Sequence, residues 1–253
     1  MIVSSLRGGV LKAFAWMLAP ALLLGCASVS NAAMMLYSGG VTVDSNNPEY
    51  ATESIAPVTQ DFYFAYTMEL TSGSLDALDQ VQFYFDSDPS VMPGAMPWSF
   101  APSVGLKVDQ GGAGTSDFQA RWGYTNQQYS GAKEAPGVGE TVGIIAKLSK
   151  SGGTVYDTIE LWVVDAFAGV PAFHTLGAPQ ATSVTGSSSL TSVSTVGIFS
   201  AALDAGDSVF LDNVSLATVP EPMTMALWGM GGIAGLAYSA RRRKLAAKDT
   251  EAV

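Results

Sequence analysis

Apolar side chains recur at every second position through the middle of this chain, and a period of two builds sheets, not helices. In "FYFAYTMEL", Phe62, Phe64, Tyr66, Met68 and Leu70 share one face, and Tyr63, Ala65, Thr67 and Glu69 share the other. "VQFYF" groups Val81, Phe83 and Phe85, and "VGLKVD" groups Val104, Leu106 and Val108. "FQARWGY" alternates Phe118, Ala120, Trp122 and Tyr124 against Gln119 and Arg121. The pattern returns at Val142, Ile144, Ala146 and Leu148, then at Ile159, Leu161 and Val163, with further strands around 196–199 and 209–216. Clusters of Gly, Asp and Ser between these runs supply the turns. Such alternation predicts sheets with one face in the core and one in solvent, and hence an all-β, antiparallel β-sandwich.

The chain has 253 residues, enough for one domain plus targeting segments. Only 13% of them are charged, so few long solvated helices can be built. The formal charge of −10 is unevenly spread. Between residues 33 and 222 there are five basic residues (Lys107, Arg121, Lys133, Lys147, Lys150) against 20 acids, and 5 − 20 gives −15. That surface repels phosphate backbones and excludes nucleic acid as a partner. It tolerates cations, calcium among them.

Both ends of the chain read as addresses. Arg7 and Lys12 precede the apolar run "AFAWMLAPALLLG", and small residues follow in "CASVSNAA", the layout of an export signal cut by signal peptidase after Ala32 or Ala33. "LLGC" at positions 23–26 offers a competing lipobox reading, in which Cys26 is lipidated and becomes the new N-terminus. Under simple cleavage Cys26, the one cysteine, is removed, leaving no disulfide, thiol nucleophile or Cys-ligated metal. At the other end, residues 223–240 are 18 uncharged residues, long enough for a transmembrane helix. Arg241, Arg242, Arg243 and Lys244 then mark its cytoplasmic flank. The expected organisation is a signal peptide at 1–32, a sandwich domain at 33–218, a membrane-directed segment at 219–244 and a short cytoplasmic tail at 245–253.

The order Val219-Pro220-Glu221-Pro222, apolar span, basic cluster resembles the PEP-CTERM sorting signal of Gram-negative bacteria. That resemblance implies recognition by an exosortase, a membrane cysteine transpeptidase, and removal of the tail during export or surface attachment. The "LAAKDTEAV" beyond the basic cluster departs mildly from the family's pattern, whose tails often stop sooner. A second resemblance lies upstream. "DTIELWV", with Asp157, Ile159, Leu161, Trp162 and Val163, and "DNV", with Asp212 and Val214, look like the back half of concanavalin-A-like (laminin-G-like) jelly rolls. Together they imply an exported jelly-roll protein of the cell surface or exopolysaccharide matrix. Its expected partners are exosortase, signal peptidase, the membrane before processing, and glycans.

Candidate chemistry is sparse. Related jelly-roll hydrolases carry acids at i, i+2 and i+4 on one strand, and this chain has no such run. Asp157 and Glu160 are three apart and face opposite ways on a strand, while Asp86 and Asp88 sit in a turn-like "DSDP". His174, the one histidine, lies in a Gly- and Pro-bounded loop without the further ligands that zinc requires. The reading is therefore a non-enzymatic protein without a cofactor. A secreted polysaccharide hydrolase or lyase on the same fold is the alternative. Calcium is the one metal with candidate ligands, at Asp76, Asp79, Asp86 and Asp88. Flat rings pack on sugar faces, and Tyr84, Trp98, Phe100, Trp122, Tyr124, Tyr129 and Trp162 are available. Trp98, in the Pro-rich "MPGAMPWSF", is the candidate glycan contact. Trp122 reads as core, and Trp162 as either on the outer sheet surface or under a covering loop.

Overall fold

A computed structural model describes residues 33–36, 39–44, 52–88, 101–109, 117–123, 126–131 and 133–219. Among these, thirteen strands run in chain order: β1 (Ala33–Met35), β2 (Val41–Asp44), β3 (Thr52–Val58), β4 (Phe62–Ser72), β5 (Gln80–Asp86), β6 (Pro102–Lys107), β7 (Phe118–Trp122), β8 (Asn126–Tyr129), β9 (Thr141–Ser149), β10 (Thr158–Asp165), β11 (Ala181–Val184), β12 (Val193–Ala201) and β13 (Ser208–Thr218). They form two sheets. One has seven strands in the order β1-β13-β4-β9-β10-β11, with β2 also paired to β13; the other has six, in the order β3-β12-β5-β6-β7-β8. Every ladder between named strands is antiparallel. The chain crosses repeatedly between the sheets, which is the layout of a jelly-roll sandwich.

The inner faces carry the side chains that the period-two pattern assigns to them. Phe62, Phe64, Tyr66 and Met68 of β4 meet Val81, Phe83 and Phe85 of β5, all fully buried. Their rings pack across the sheets at 4.9 Å for Phe64–Phe83, 5.1 Å for Phe64–Phe85 and 4.6 Å for Tyr66–Phe83. Leu161, Ile159 and Val163 of β10 point into the same core, as do Val214 and Leu216 of β13. Trp122 is core as well.

The expectation that the opposite faces meet solvent is corrected on both sheets. Ala65, Ile145 and Trp162, on the outer face of the seven-stranded sheet, are buried in a second apolar cluster with Phe173. The cause is the connection between β10 and β11, which folds back over its own sheet. Phe173 opens a 3-10 turn (Phe173–Thr175) and stacks on Tyr63 with ring centroids 4.6 Å apart, while Trp162 Nε1 donates to the Gly177 carbonyl at 2.9 Å. Phe167 lies where a side chain at Gly143 would stand, so the glycine in β9 makes room for the covering segment. A bulge in β13 holds it down. Asn213, at φ +54°, accepts from Gly169 N at 3.0 Å and donates to Phe167 O at 3.4 Å. Trp162 is thus under a loop, the second of the two placements left open for it.

The domain's ends meet. Ala33 of β1 pairs with Ala217 of β13, and Val219 N donates to Asp61 O at 2.7 Å. Among the described residues no helix is long and apolar enough to cross a membrane. The expected signal at 1–32, with Cys26, the sorting residues Pro220, Glu221 and Pro222, the span at 223–240 and the cluster Arg241 to Lys244 lie outside the described residues.

Candidate functional site: the outer face of the six-stranded sheet

The second corrected face differs in chemistry. Strand register places outward side chains of the six-stranded sheet in lateral rows. One row runs Gly197 (β12), Tyr84 (β5), Ser103 (β6), Arg121 (β7) and Gln127 (β8). The next runs Phe199, Gln82, Gly105, Gln119 and Tyr129 on the same five strands. Gln80 and Lys107 follow in a third row. Gln82, Ser103 and Gln119 are fully buried and Arg121 is 1% exposed, while Lys107, Gln127 and Tyr129 are half-buried, so the face opens toward its rim.

Part of this face is an internally satisfied chain. Arg121 Nε donates to Ser103 Oγ at 2.8 Å, Ser103 Oγ donates to Gln82 Oε1 at 3.0 Å, and Gln82 Nε2 donates to the Leu106 carbonyl at 3.4 Å. The guanidinium carbon lies 5.6 Å from the centre of the Phe199 ring, within cation–π range. Tyr84 leans across β12 into the space that a Cβ at Gly197 would occupy, and it packs with Ala101 and Phe199.

Other polar atoms of this face have no partner. Both polar atoms of the Gln119 amide are buried without a hydrogen-bond partner, as are Tyr84 Oη and Thr195 Oγ1 on the same face. A buried polar atom left unpaired costs about 1–3 kcal/mol, so several on one surface mark a place where a partner is expected from outside. Gly105 sits between Gln82 and Gln119 at φ +152°, and a Cβ there would collide with the Val81 carbonyl and Gln82 Cα. Only glycine fits there. Electrostatics tie the rim to the centre. Burial and the nearby Arg121 charge hold the Lys107 ammonium below the usual lysine range. Burial raises the Tyr129 phenol, an effect that Arg121 opposes.

The residues singled out from sequence fall elsewhere. Trp98, Phe100 and Tyr124 lie outside the described residues. His174 is exposed in the covering segment of the other sheet. The calcium candidates do not share one place, which corrects that grouping. Asp76 and Asp79 precede β5 and Asp86 ends it, about 23 Å further along an extended strand. Asp86 Oδ1 accepts from Ser87 N at 2.6 Å and Asp88 N at 3.1 Å, a local turn cap. Asp76 and Asp79 instead stand near a second D-x-x-D turn, Asp204 to Asp207. In each turn the fourth residue's carboxylate accepts from the first residue's amide, at 2.8 Å both times. Among the described residues no group of three or more His, Cys, Asp or Glu side chains is disposed to hold a metal ion.

Gln119 and Arg121 were missed because polar residues on an alternating strand read as solvated. The signal that could have found them is a pair of mid-strand glycines, Gly105 in "SVGLK" and Gly197 in "TVGIF", which mark close approach on neighbouring strands.

No protein-family model matches the chain, and no curated protein matches it. Among solved structures, an alginate lyase, Aly36B, is similar with a TM-score of 0.43 and 9% identity, over 71% of this chain and 80% of that one. An endo-β-1,4-glucuronan lyase from the fungus Trichoderma reesei is similar at a TM-score of 0.40 and 8% identity, over 75% and 89% of the two chains. Peanut lectin is similar at a TM-score of 0.37 and 11% identity, over 77% and 95%. At such values the likeness is confined to the course of the strands.

Proposed function

We propose that this is an exported surface or extracellular-matrix protein that binds carbohydrate on the outer face of its six-stranded sheet, in association with exopolysaccharide. The observation that carries this reading is the buried, unpaired Gln119 amide beside Gly105, where no side chain fits. A sugar hydroxyl both donates and accepts, and a carboxamide offers the complementary pair of valences. Tyr84, with its own unpaired hydroxyl, adds a ring on the same face. A few convergent polar groups against apolar surface are what small-molecule recognition requires.

Sorting by an exosortase through residues 219–244 is proposed from the sequence order of motif, span and basic cluster. Mass spectrometry of the mature extracellular protein should then find no peptide containing Trp228 or Arg241; an intact tail would make it a permanent anchor.

For the binding reading, the full chain is applied to a glycan array, and reducing-end release is followed in parallel on the polymers retained. Retention without release is expected, and it should be lost in Gln119→Leu. Failure to retain any glycan removes the carbohydrate reading. Release of reducing ends replaces it with a polysaccharide-active enzyme.

A further inference from the structure

We infer that Tyr156, Lys150 and Asp61 form a brace that sets the inner limit of C-terminal processing. They hold the backbone through Val219 in the sandwich, so that an enzyme can cut only at Pro220-Glu221-Pro222 or beyond it. The inference rests on the sorting reading above and adds to it what keeps the cut out of the domain.

β13 is a strand that the domain needs whole. It runs inside the seven-stranded sheet, with β1 and β2 on one edge and β4 on the other. Near its end Ser215, Leu216 and Ala217 pair with Met35, Met34 and Ala33 on one side and with Ala65, Phe64 and Tyr63 on the other. All three are buried. The sorting motif nevertheless starts only three residues after Ala217. Strand ends fray first, so a cut aimed at the motif threatens the strand unless its end is held.

The brace lies at that end. Residues 59–61 connect β3 to β4, and their carbonyls, with that of Val58, are all taken. Tyr156 Oη donates between Val58 O, at 3.1 Å, and Gln60 O. Lys150 Nζ donates to Thr59 O at 2.7 Å, and Val219 N donates to Asp61 O at 2.7 Å. Asp61 is fixed a second time, because its Oδ1 accepts from Lys150 N at 3.0 Å. Lys150 Nζ also donates to Thr191 O at 2.9 Å and lies 4.6 Å from the Tyr156 ring centre. Tyr156 is itself fully buried, edge-on to Phe62 with ring centroids 5.6 Å apart. A short connection that could swing in water is thus tied to the β9–β10 connection, and Val219 is tied to it.

The sequence completes the boundary. Val219 carries the last backbone N–H before Pro220, and neither Pro220 nor Pro222 has one with which to extend the ladder. The braced backbone stops where the motif starts. Peptide bonds held in a ladder must open before a protease can seat them, so those up to Val219 are cut only as often as the end of β13 opens.

The test reads the C-terminal residue of the mature extracellular protein by mass spectrometry, and the exchange of the Val219 amide in the full chain. Wild type should end at or beyond Val219. Tyr156→Phe, which keeps the ring against Phe62, and Lys150→Met, at the surface, should each speed Val219 exchange up to about tenfold, the scale of one lost hydrogen bond. Each should also yield a fraction of molecules ending within residues 215–218. Lys147→Met, whose ammonium pairs with Glu160 at 3.4 Å, should change neither reading. Wild-type ends before Val219 overturn the inference, as do variant ends identical to those of wild type, even if exchange is faster. Trimming in Lys147→Met equal to that in Lys150→Met overturns it as well. A mature protein that still carries Trp228 and Arg241 sinks the sorting reading, and the inference with it.

Discussion

The two sheets bury their outer faces in opposite ways. On the seven-stranded sheet, Ala65, Ile145 and Trp162 form an apolar floor, and the segment between β10 and β11 supplies the lid: Phe173 on Tyr63, Phe167 over Gly143, a carbonyl for the indole N–H. Almost every polar valence there is met from within the chain, the Ser215 hydroxyl being the exception. The six-stranded sheet buries Gln82, Ser103, Gln119 and Arg121, and its centre is left with unpaired atoms. Burial by itself is therefore no guide to role. A face completed by its own sequence is architecture, and one that leaves donors and acceptors open is disposed toward something else.

That contrast can be broken most directly at Trp162. If the covered face is architectural, Trp162→Ala should cost about 3–5 kcal/mol in a denaturant melt, as large-to-small core changes do, with glycan retention unaltered in the folded fraction. A small loss would mean that the lid is dispensable. Gln119→Leu should move stability the other way. Replacing an unpaired buried amide by an apolar group of similar size should be neutral or stabilising, by about 1–3 kcal/mol, while binding disappears. A loss comparable to that of Trp162→Ala would show that the amide is structural and would erase the distinction between the faces.

A pH-dependent effect should appear at the end of the six-stranded sheet. Burial first, then the charges of Asp76, Asp207 and Asp204, push the Asp79 carboxyl up from 3.8 to about 6, and its Oδ1 is buried without a partner. Between those values the folded chain holds a proton that the unfolded chain has released. Stability from this group is thus present at low pH and falls as pH rises toward and through about 6. Asp79→Asn should flatten that slope and raise the melting temperature at pH 7.5 relative to wild type. An unchanged pH profile would mean that Asp79 is not strained by its neighbours.

The inner core was legible because alternation is a local property. Phe62, Phe64, Tyr66, Leu161 and Val214 need only the pleat to be assigned a face. What lies over the other face depends on contacts between residues far apart in the chain, such as Tyr63 with Phe173, and no periodicity encodes those. The same limit hid Gln119 and Arg121, whose spacing is that of ordinary solvated residues. Short polar strands escaped for another reason. β3 ("TESIAPV"), β8 ("NQQY") and β11 ("ATSV") lie at sheet edges, where one neighbour suffices and the apolar signal is weak. The glycan contact expected at Trp98 rested on loop chemistry, whereas Gln119 is placed by strand register.

The pairing of Ala33 with Ala217 has a mechanical side. The chain continues beyond Val219 directly from β13, a strand laddered to β4 along one edge and to β1 and β2 along the other. A pull transmitted through that continuation runs along the strand axis, across hydrogen bonds that lie perpendicular to it. Those bonds bear the load together, in shear, and do not open one after another like a zip. Resistance to such a pull is set by the rate of crossing one large barrier. A drag force on a polymer seated over Gln119 would reach that ladder only after passing through the sandwich core.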